Sequence, residues 1–560
     1  MTNYQFTGGT ICAPATIPGT GAISIIRVSG KEALAIADKV IDTKGAPIAE
    51  TEGYRLRYGT VFEADGSVLD NVIVSVFRAP HSYTGENSVE ISCHASRFIV
   101  NKILELLVNA GARIAAPGEF TRRAFVNGKM DLAQAEAVAD VIASQSAASH
   151  RVAMNQLKGG FSSELKVLRE KLLTMTSLLE LELDFSEEDV EFASRKELGQ
   201  LVDDSLTHIG RLTTSFSRGN AIKNGVPVAI VGATNTGKST LLNALLGEER
   251  AIVSDIAGTT RDTIEETLNI DGILFRFIDT AGIRETDETI EKIGIDRTFK
   301  KLGEAAVVLG MTDLSRGEAA VLEDADFILS KVNEMGGVKN VSAENDGSET
   351  GGASLVGTDG TSLAETGGTS RSETGGTPLA ETGGASQHGH GAEQERKVVI
   401  LVNKCDVAGD FYGVENGVGG GSGNDLGENM AESADNKNVN QDNNIVSLIE
   451  YKYNNCKVIP ISAKTGKGLS TLTKTLGEIG SEITGSTDET LVTNVRHYEA
   501  LVRAASALER VRAGLHIATL PPDLIAQDLR EALYHLGEII GEISTDETLG
   551  NIFRKFCIGK

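Results

Sequence analysis

A chain of 560 residues, 40% of them hydrophobic, is too long for a single hydrophobic core and reads as two to four domains. No run approaches about eighteen consecutive apolar residues, which excludes a bilayer-spanning helix. A formal net charge of −25 excludes loose, sequence-independent attraction to nucleic acid, because that attraction comes from Lys and Arg neutralising phosphates.

The first residues, "MTNYQFTGGTICAPATIPGTG", lack a charged region followed by an apolar stretch and have no arginine before Arg27, so a cytoplasmic protein is expected. The cysteines Cys12, Cys93, Cys405, Cys456 and Cys557 form no C-x-x-C pair, which argues against a disulfide framework and a zinc site. Residues 1–127 mix short β-branched runs such as "VIVSVF" (72–77) with Gly and Pro punctuation and predict a compact α+β domain. From 128 to 223 the texture changes. Leu165, Leu168, Leu172, Met175 and Leu179 recur at steps of three and four, which predicts an amphipathic helix with one buried stripe. Residues 487–560 repeat that pattern in Leu501, Leu508, Val511 and Leu515 and again in Leu529, Leu533, Leu536 and Ile540.

Between them, residues 224–480 alternate apolar strands ("VPVAIVG", "LFRFIDT", "KVVILVN", "CKVIPIS") with helical stretches and predict a mostly parallel α/β unit. The simplest assembly inserts this unit between two halves of one helical domain. Two tracts inside it, 336–395 with its octad near-repeat ("SLAETGGT", "SRSETGGT", "PLAETGGA") and 408–445, carry too little apolar surface to offset chain entropy. They read as disordered, linker-like surface loops.

The strand "VPVAIV" runs into "GATNTGKST", which matches G-x-x-x-x-G-K-[ST] in strand-then-helix context. Gly232 and Gly237 let backbone N–H groups wrap phosphates, Lys238 reaches the β and γ oxygens, and Ser239 offers magnesium a hydroxyl; Asn235, Thr236 and Thr240 complete the loop. "DTAG" (Asp279, Thr280, Ala281, Gly282) supplies a magnesium-side aspartate and a glycine N–H for the γ-phosphate. "NKCD" places Asn403, Lys404 and Asp406 after another strand, and the Asp406 carboxylate can accept two N–H groups of guanine, a pair that adenine lacks. "SAK" (Ser462, Ala463, Lys464) completes the base pocket. Four motifs in this order predict a guanine-nucleotide hydrolase on a Ras-like G domain.

Ras-like switches carry a glutamine after D-x-x-G to orient the attacking water; here the position is Ile283. Other groups must therefore orient water and balance charge. Asn235 in the phosphate loop and the switch stretch "SDIAGTTRDT" (254–263) offer hard oxygen ligands suited to a monovalent cation placed where an arginine finger would act.

"GTTRDT", "DTAGIRETDETIEKIGI" and the terminal "CIGK", with "GAISIIRVSG", "SYTGENSVEISCHA" and "APGEFTRRAFVNGKMDLAQAEAVAD", closely resemble the MnmE (TrmE) family of tRNA wobble-uridine modification GTPases. The match covers nearly everything except the two low-complexity tracts. The resemblance implies an α/β plus α fold: an amino-terminal α+β folate-binding domain and a discontinuous helical domain with the G domain inserted. It also implies a potassium-activated GTPase that forms a homodimer through its G domains, and a heterotetramer with the FAD-dependent flavoprotein MnmG. tRNA would be met mainly through that partner, with no membrane. Together they would add (carboxymethyl)aminomethyl groups to carbon 5 of the wobble uridine, with 5-formyl- or 5,10-methylene-tetrahydrofolate as one-carbon carrier.

By family position Asn235, Ser254, Ile256 and Thr259 surround potassium, and Ser239 and Thr260 hold magnesium. Glu291 helps orient water, and Arg27, Glu90, Lys129 and Lys560 contact folate. Without the family, Glu291 would read as a solvated carboxylate, and Glu90, between Val89 and Ile91, as the outward residue of an alternating strand. The chain departs from the family in its Ala-Thr-Asn-Thr phosphate loop, in Ser254 where threonine is common, and in "CHA"; these bear on affinity rather than mechanism. A regulatory, ribosome-assembly type of GTPase is the alternative, disfavoured by the acidic balance. Cys557 reads either as a packing or positioning residue beside Phe553 and Phe556, or as a nucleophile beside the one-carbon carrier. Gly559 and Lys560 make "CIGK" a poor lipidation signal.

Deleting residues 340–392 is expected to leave GTP turnover within about twofold, since a long surface loop costs only about 0.6 kcal/mol per doubling of length. Loss of nucleotide binding in the deletion variant would show that the tract is structural.

Overall fold

The computed structural model describes residues 8–184, 194–249, 266–278, 305–334, 396–406, 445–453, 456–485, 489–517, 521–554, 556 and 559. The tract 336–395, the tract 408–445 except Ile445, the switch stretch 254–263, the D-x-x-G segment 279–282, Ile283, Glu291, Cys557 and Lys560 lie outside the described residues.

Strands β1 (Ile11–Pro14), β2 (Ile23–Ser29), β3 (Ile41–Asp42), β4 (Arg55–Phe62), β5 (Val68–Phe77), β6 (Ser88–His94) and β7 (Arg113–Ile114) form one sheet in the order β3-β4-β5-β6-β2-β1-β7. Helices α1 (Ala33–Val40) and α2 (Arg97–Asn109) supply Leu34, Ile36, Ile103 and Leu107 to a core shared with Val28, Val72, Val74, Val76, Val89 and Ile91. The alternation along β5 explains why one face is covered: Val72, Val74 and Val76 point inward while Ile73 stays exposed. Helix α3 (Glu119–Val126) follows β7.

Helices α4 (Leu132–Ala143), α5 (Ala147–Leu157), α6 (Gly160–Asp184) and α7 (Arg195–Asn224) come next. Asp131 and Gln134 cap α4 reciprocally, as Ser146 and Ser149 cap α5, which satisfies backbone N–H groups that a helix start leaves unpaired. Beyond the middle of the chain lie α12 (Val495–Leu515), α13 (Pro522–Ile540) and α14 (Asp546–Phe553). Leu165, Leu172, Leu198, Val202, Ile209 and Leu212 share a single core with Leu501, Leu508, Val511, Leu529 and Leu536. Of the apolar positions singled out in the sequence, only Met175 and Leu515 are partly rather than fully buried. Each such leucine contributes about 1.5–3 kcal/mol by burial, so neither half keeps its stability without the other.

A buried charged cluster joins the same two halves. Arg496, at the start of α12, donates to both oxygens of Glu136 on α4 (2.8 and 3.0 Å) and to the Glu538 and Ile539 carbonyls of α13 (2.7 and 3.1 Å). The His497 imidazole lies 2.6 Å from Glu136 through Nε2 and packs on the Phe161 ring. Burial pushes His497 below its ordinary value, and its Nε2 lies between Glu136 Oε2 (2.6 Å) and Arg496 Nη2 (2.9 Å). Burial opposes the charge on Glu136, yet His497 and Arg496 hold its carboxyl well below the ordinary range.

The remaining elements are β8 (Val226–Gly232), α8 (Lys238–Glu249), β9 (Glu266–Ile270), β10 (Ile273–Ile278), β11 (Val307–Asp313), α9 (Glu318–Glu334), β12 (Lys397–Asn403), α10 (Ile445–Lys452), β13 (Lys457–Pro460) and α11 (Leu469–Thr484). The sheet order is β13-β12-β11-β8-β10-β9, and β8, β11, β12 and β13 run parallel. Their near-continuous apolar sequences follow from burial on both faces.

The chain divides into two compact units, one of residues 1–226, 267–276 and 473–560 and the other of 227–266 and 277–472. Within the first unit Asn269 donates to the Gln145 carbonyl (3.0 Å) and Ala148 N–H to the Gly272 carbonyl (3.4 Å). Among the described residues no helix is long and apolar enough to cross a membrane.

Glu136→Gln is expected to destabilise the helical bundle by about 3–5 kcal/mol, the usual cost of breaking a buried pair, as a lower urea midpoint by circular dichroism. Both folded-state values lie below the ordinary 6.5 of His497 and 4.5 of Glu136. The cluster's contribution is therefore complete above pH 6.5 and declines as pH falls, first through His497 and then through Glu136. The glutamine variant should lose the second decline.

Candidate functional site

The carboxyl ends of the parallel strands bring three of the sequence motifs together, as an open α/β sheet does for a ligand-binding crevice. After β8 the chain turns through Asn235, whose φ of +60° is left-handed, and Gly237, whose φ is +100°. A side chain at Gly237 would run into the Asn403 amide, so glycine is required there. Helix α8 then starts at Lys238, with Ser239 and Thr240 in its first turn, so a helix amino terminus follows the loop, the arrangement that binds phosphates. The Lys238 ammonium rests on the Gly232 and Ala233 carbonyls (2.9 and 2.7 Å), and burial pushes it below its ordinary value. Buried Thr236 closes the loop by donating to the Ala233 carbonyl at 2.9 Å.

Asn403 ties this loop to the base-side loops. Its amide N–H donates to the Thr236 carbonyl (2.6 Å) while its oxygen accepts the Ala463 N–H (2.9 Å). Lys404 has a φ of +65°, a conformation that costs a non-glycine residue roughly 1–2 kcal/mol, and its ammonium reaches Asp313 at the end of β11 (2.6 Å). Asp406 is exposed. The Ser462 hydroxyl donates to it, and Lys464 and Lys404 add positive charge, which holds its carboxyl below the usual range. A charged acceptor is thus presented at the rim, suited to paired N–H donors on a purine edge. Asp313 belongs to none of the motifs; its signal was the aspartate that ends the apolar run "AAVVLGMTD".

A second cluster occupies the amino-terminal sheet. Arg27 on β2 and Glu90 on β6 are direct cross-strand partners, and Arg27 Nε and Nη2 both lie 2.9 Å from Glu90 Oε1. The guanidinium sits 5.1 Å from the Tyr83 ring centre and 5.6 Å from that of Phe120, a cation–π sandwich. The Tyr83 hydroxyl and the Thr121 hydroxyl are 2.8 Å apart, and burial raises the tyrosine above its ordinary value.

Beneath the rings Glu119 accepts from Arg113 (2.5 and 2.8 Å) and Arg123 (3.0 Å), and Arg123 also donates to Glu86 (3.0 and 3.1 Å). Tyr83, Glu86, Glu119, Phe120, Thr121 and Arg123 stand inside the family-like stretches 82–95 and 116–140 but were not singled out individually, because nothing in their spacing shows that they meet. Lys129 is exposed and donates to the Pro80 carbonyl (3.2 Å), its stem lying over Gly85.

The carboxyl-terminal segment reaches the same sheet. Phe553 and Phe556 are buried against Leu132 and Ala135, and Phe553 packs on Gly118, the residue before α3. Gly559 lies against Pro14 and Ala15 at the end of β1, where Ala13 is the cross-strand partner of Arg27. The described thiols are free, and burial pushes Cys12, Cys93 and Cys456 up to about 11, which leaves them as inert packing groups at neutral pH.

Residues 132–557 match a family model described as the MnmE helical domain, and residues 10–129 match one described as the GTP-binding protein TrmE N-terminus. A protein of Parabacteroides distasonis named tRNA modification GTPase MnmE is 44% identical over 98% of this chain and 100% of its own. Its namesake from Porphyromonas gingivalis is 42% identical over 100% of this chain and 99% of its own. A GTP-binding protein from Sulfolobus solfataricus solved with GDP aligns over 57% of this chain and 67% of its own at 14% identity and a TM-score of 0.24, too low to carry structural weight. With both family models matched and relatives alike from end to end, the chain belongs to the MnmE (TrmE) family of tRNA modification GTPases.

Proposed function

We propose that this GTPase is potassium-activated and works in the cytoplasm as a homodimer with the flavoprotein MnmG, adding aminomethyl-type groups to carbon 5 of the wobble uridine with a tetrahydrofolate carrier. The reading divides the chain into a folate-binding domain (1–127), helical halves (128–223 and 487–560) and a G domain (224–480). The observation that supports it is the Arg27–Glu90 pair, with the guanidinium against the Tyr83 and Phe120 rings, in a chain that also brings its phosphate-loop, N-K-x-D and S-A-K motifs together.

In the G domain, Lys238 and the first turn of α8 bind the phosphates, and Asp406 and Ser462 select guanine. Ser239 offers a hard hydroxyl oxygen that fits magnesium, with Thr260 as its partner ligand. The left-handed turn at Asn235 places an amide at the exposed tip of the phosphate loop, a donor that fits potassium. Ser254, Ile256 and Thr259 complete that set, and Glu291 orients the attacking water. The cation supplies the positive charge that an arginine finger gives elsewhere.

At the amino-terminal site, the carboxylate and guanidinium match the amidine-like edge of a pterin, and the carrier supplies one-carbon transfer chemistry when bound. Glu90 Oε2, which takes neither Arg27 donor, accepts the ring N–H groups; Arg27 fixes the carboxylate; Lys129 and Lys560 serve the anionic remainder of the carrier. Cys557 belongs to the "FCIGK" segment, whose Gly559 lies against Pro14 and Ala15 at the end of β1, and it acts there as a packing or positioning residue or as a nucleophile toward the carrier.

If potassium stands in for an arginine finger, worth about 10³–10⁵ in rate, GTP turnover should fall steeply when sodium replaces it, and Asn235→Ala should abolish the difference. Equal turnover in both salts would sink the cation role. By calorimetry, 5-formyl-tetrahydrofolate should bind the wild-type chain and lose at least about tenfold in affinity in Arg27→Ala, whose removed hydrogen bonds involve charged groups. Unchanged affinity would remove Arg27–Glu90 from folate recognition.

A further inference from the structure

We infer that Asp313 is a positioning residue for guanine specificity: it holds Lys404, and through Lys404 the turn that presents Asp406 to the base. The inference extends the nucleotide reading to a residue outside the four sequence motifs.

Asp313 closes β11 as the parallel register partner of Asn403, so the two strands end side by side. Its carboxylate oxygens have separate tasks. Oδ1 accepts the Ser315 N–H (2.9 Å) and hydroxyl (2.6 Å), while Oδ2 accepts the Lys404 ammonium (2.6 Å). With Oδ1 pinned, the carboxylate cannot swing to follow a moving lysine; Lys404 must come to it. The Asp313 side chain is 6% exposed and that of Lys404 33%, so the pair is partly shielded from water and salt.

Lys404 is also the left-handed residue of the segment, and Asp406 stands two positions beyond it. Asn403 fixes the first residue through Thr236 and Ala463. Asp313 fixes the second by charge. The turn is held at two consecutive residues, and the guanine-reading carboxylate inherits its direction. Burial alone would raise the Asp313 carboxyl, but the Lys404 and Ser315 contacts bring it below the ordinary range, so the ion pair is formed at neutral pH.

A purely local role, capping the 314–316 turn, is the competing account. The two separate in the full-length chain with Asp313→Asn, which keeps the shape and the Oδ1 acceptor but removes the charge. Affinity is read with a fluorescent GDP analogue, and base selectivity by competition with IDP, whose base lacks the 2-amino group. A lost charged hydrogen bond should weaken GDP about tenfold and weaken IDP less, shrinking the GDP:IDP preference. KM for GTP should rise while kcat stays within about twofold, as for an interaction made equally in ground and transition states.

Lys404→Met should show the same losses, and the double variant should be no worse than the worse single one, because both remove one interaction. Unchanged GDP affinity in a folded Asp313→Asn variant, an unchanged GDP:IDP ratio, or additive losses in the double variant would overturn the inference. Should Asp313→Asn not fold, Ser315→Ala removes the shorter of the two bonds that pin Oδ1 and should weaken GDP in the same direction by about threefold, in line with one lost hydrogen bond; no change would equally overturn it.

Discussion

The nucleotide end of the molecule depends on one amide. Asn403 is nearly fully buried at the end of β12 and has one donor directed to the phosphate loop and one acceptor directed to the loop that follows β13. Parallel register is what makes this possible, since β8, β11, β12 and β13 deliver their loops to the same edge of the sheet. The phosphate loop and the loop that follows β13 are therefore coupled through a single planar group whose polar atoms on both sides are satisfied. In a buried setting an unsatisfied partner would cost about 1–3 kcal/mol, which makes any shift of either loop expensive.

The amino-terminal site uses a different strategy. Arg27 carries its positive charge against two aromatic rings and one carboxylate, which take the place of part of its water. Those rings are in turn held by their own neighbours: the Thr121 hydroxyl meets the Tyr83 hydroxyl, and the Arg113–Glu119–Arg123–Glu86 chain anchors α3, which carries Phe120. The carboxyl-terminal helix meets the start of α3 at Gly118, so the last turn of the helical bundle and the Arg27 site share a structural element.

Much of this was legible in the sequence where the governing physics is local. Buried parallel strands read as continuous apolar runs, which is why "VPVAIVG" and "KVVILVN" stood out, and the leucine stripes followed from helical periodicity. Strand β11 did not stand out. Gly310 interrupts "VVLGMTD", and its missing side chain makes room for Ile400 and Ile328, a packing fact that no local pattern displays. Glu90 alternates as an outward strand residue should, yet it is half-buried because Arg27 lies opposite. Arg27 and Glu90 came from resemblance as separate folate positions, and their pairing shows only in the fold. Its aromatic clamp, from residues 83 and 120, is a product of tertiary folding alone.

The shared core of α6, α7, α12 and α13 also sets a schedule for synthesis. At about 5–20 residues per second on a ribosome, the interval between the emergence of Leu212 and of Leu501 is roughly 15–60 s. Throughout it the first two long helices carry an apolar stripe without its cognate partner. Chaperones must cover that surface, or it pairs with the equivalent stripe of a neighbouring nascent chain on the same message, an exchange of helices between copies.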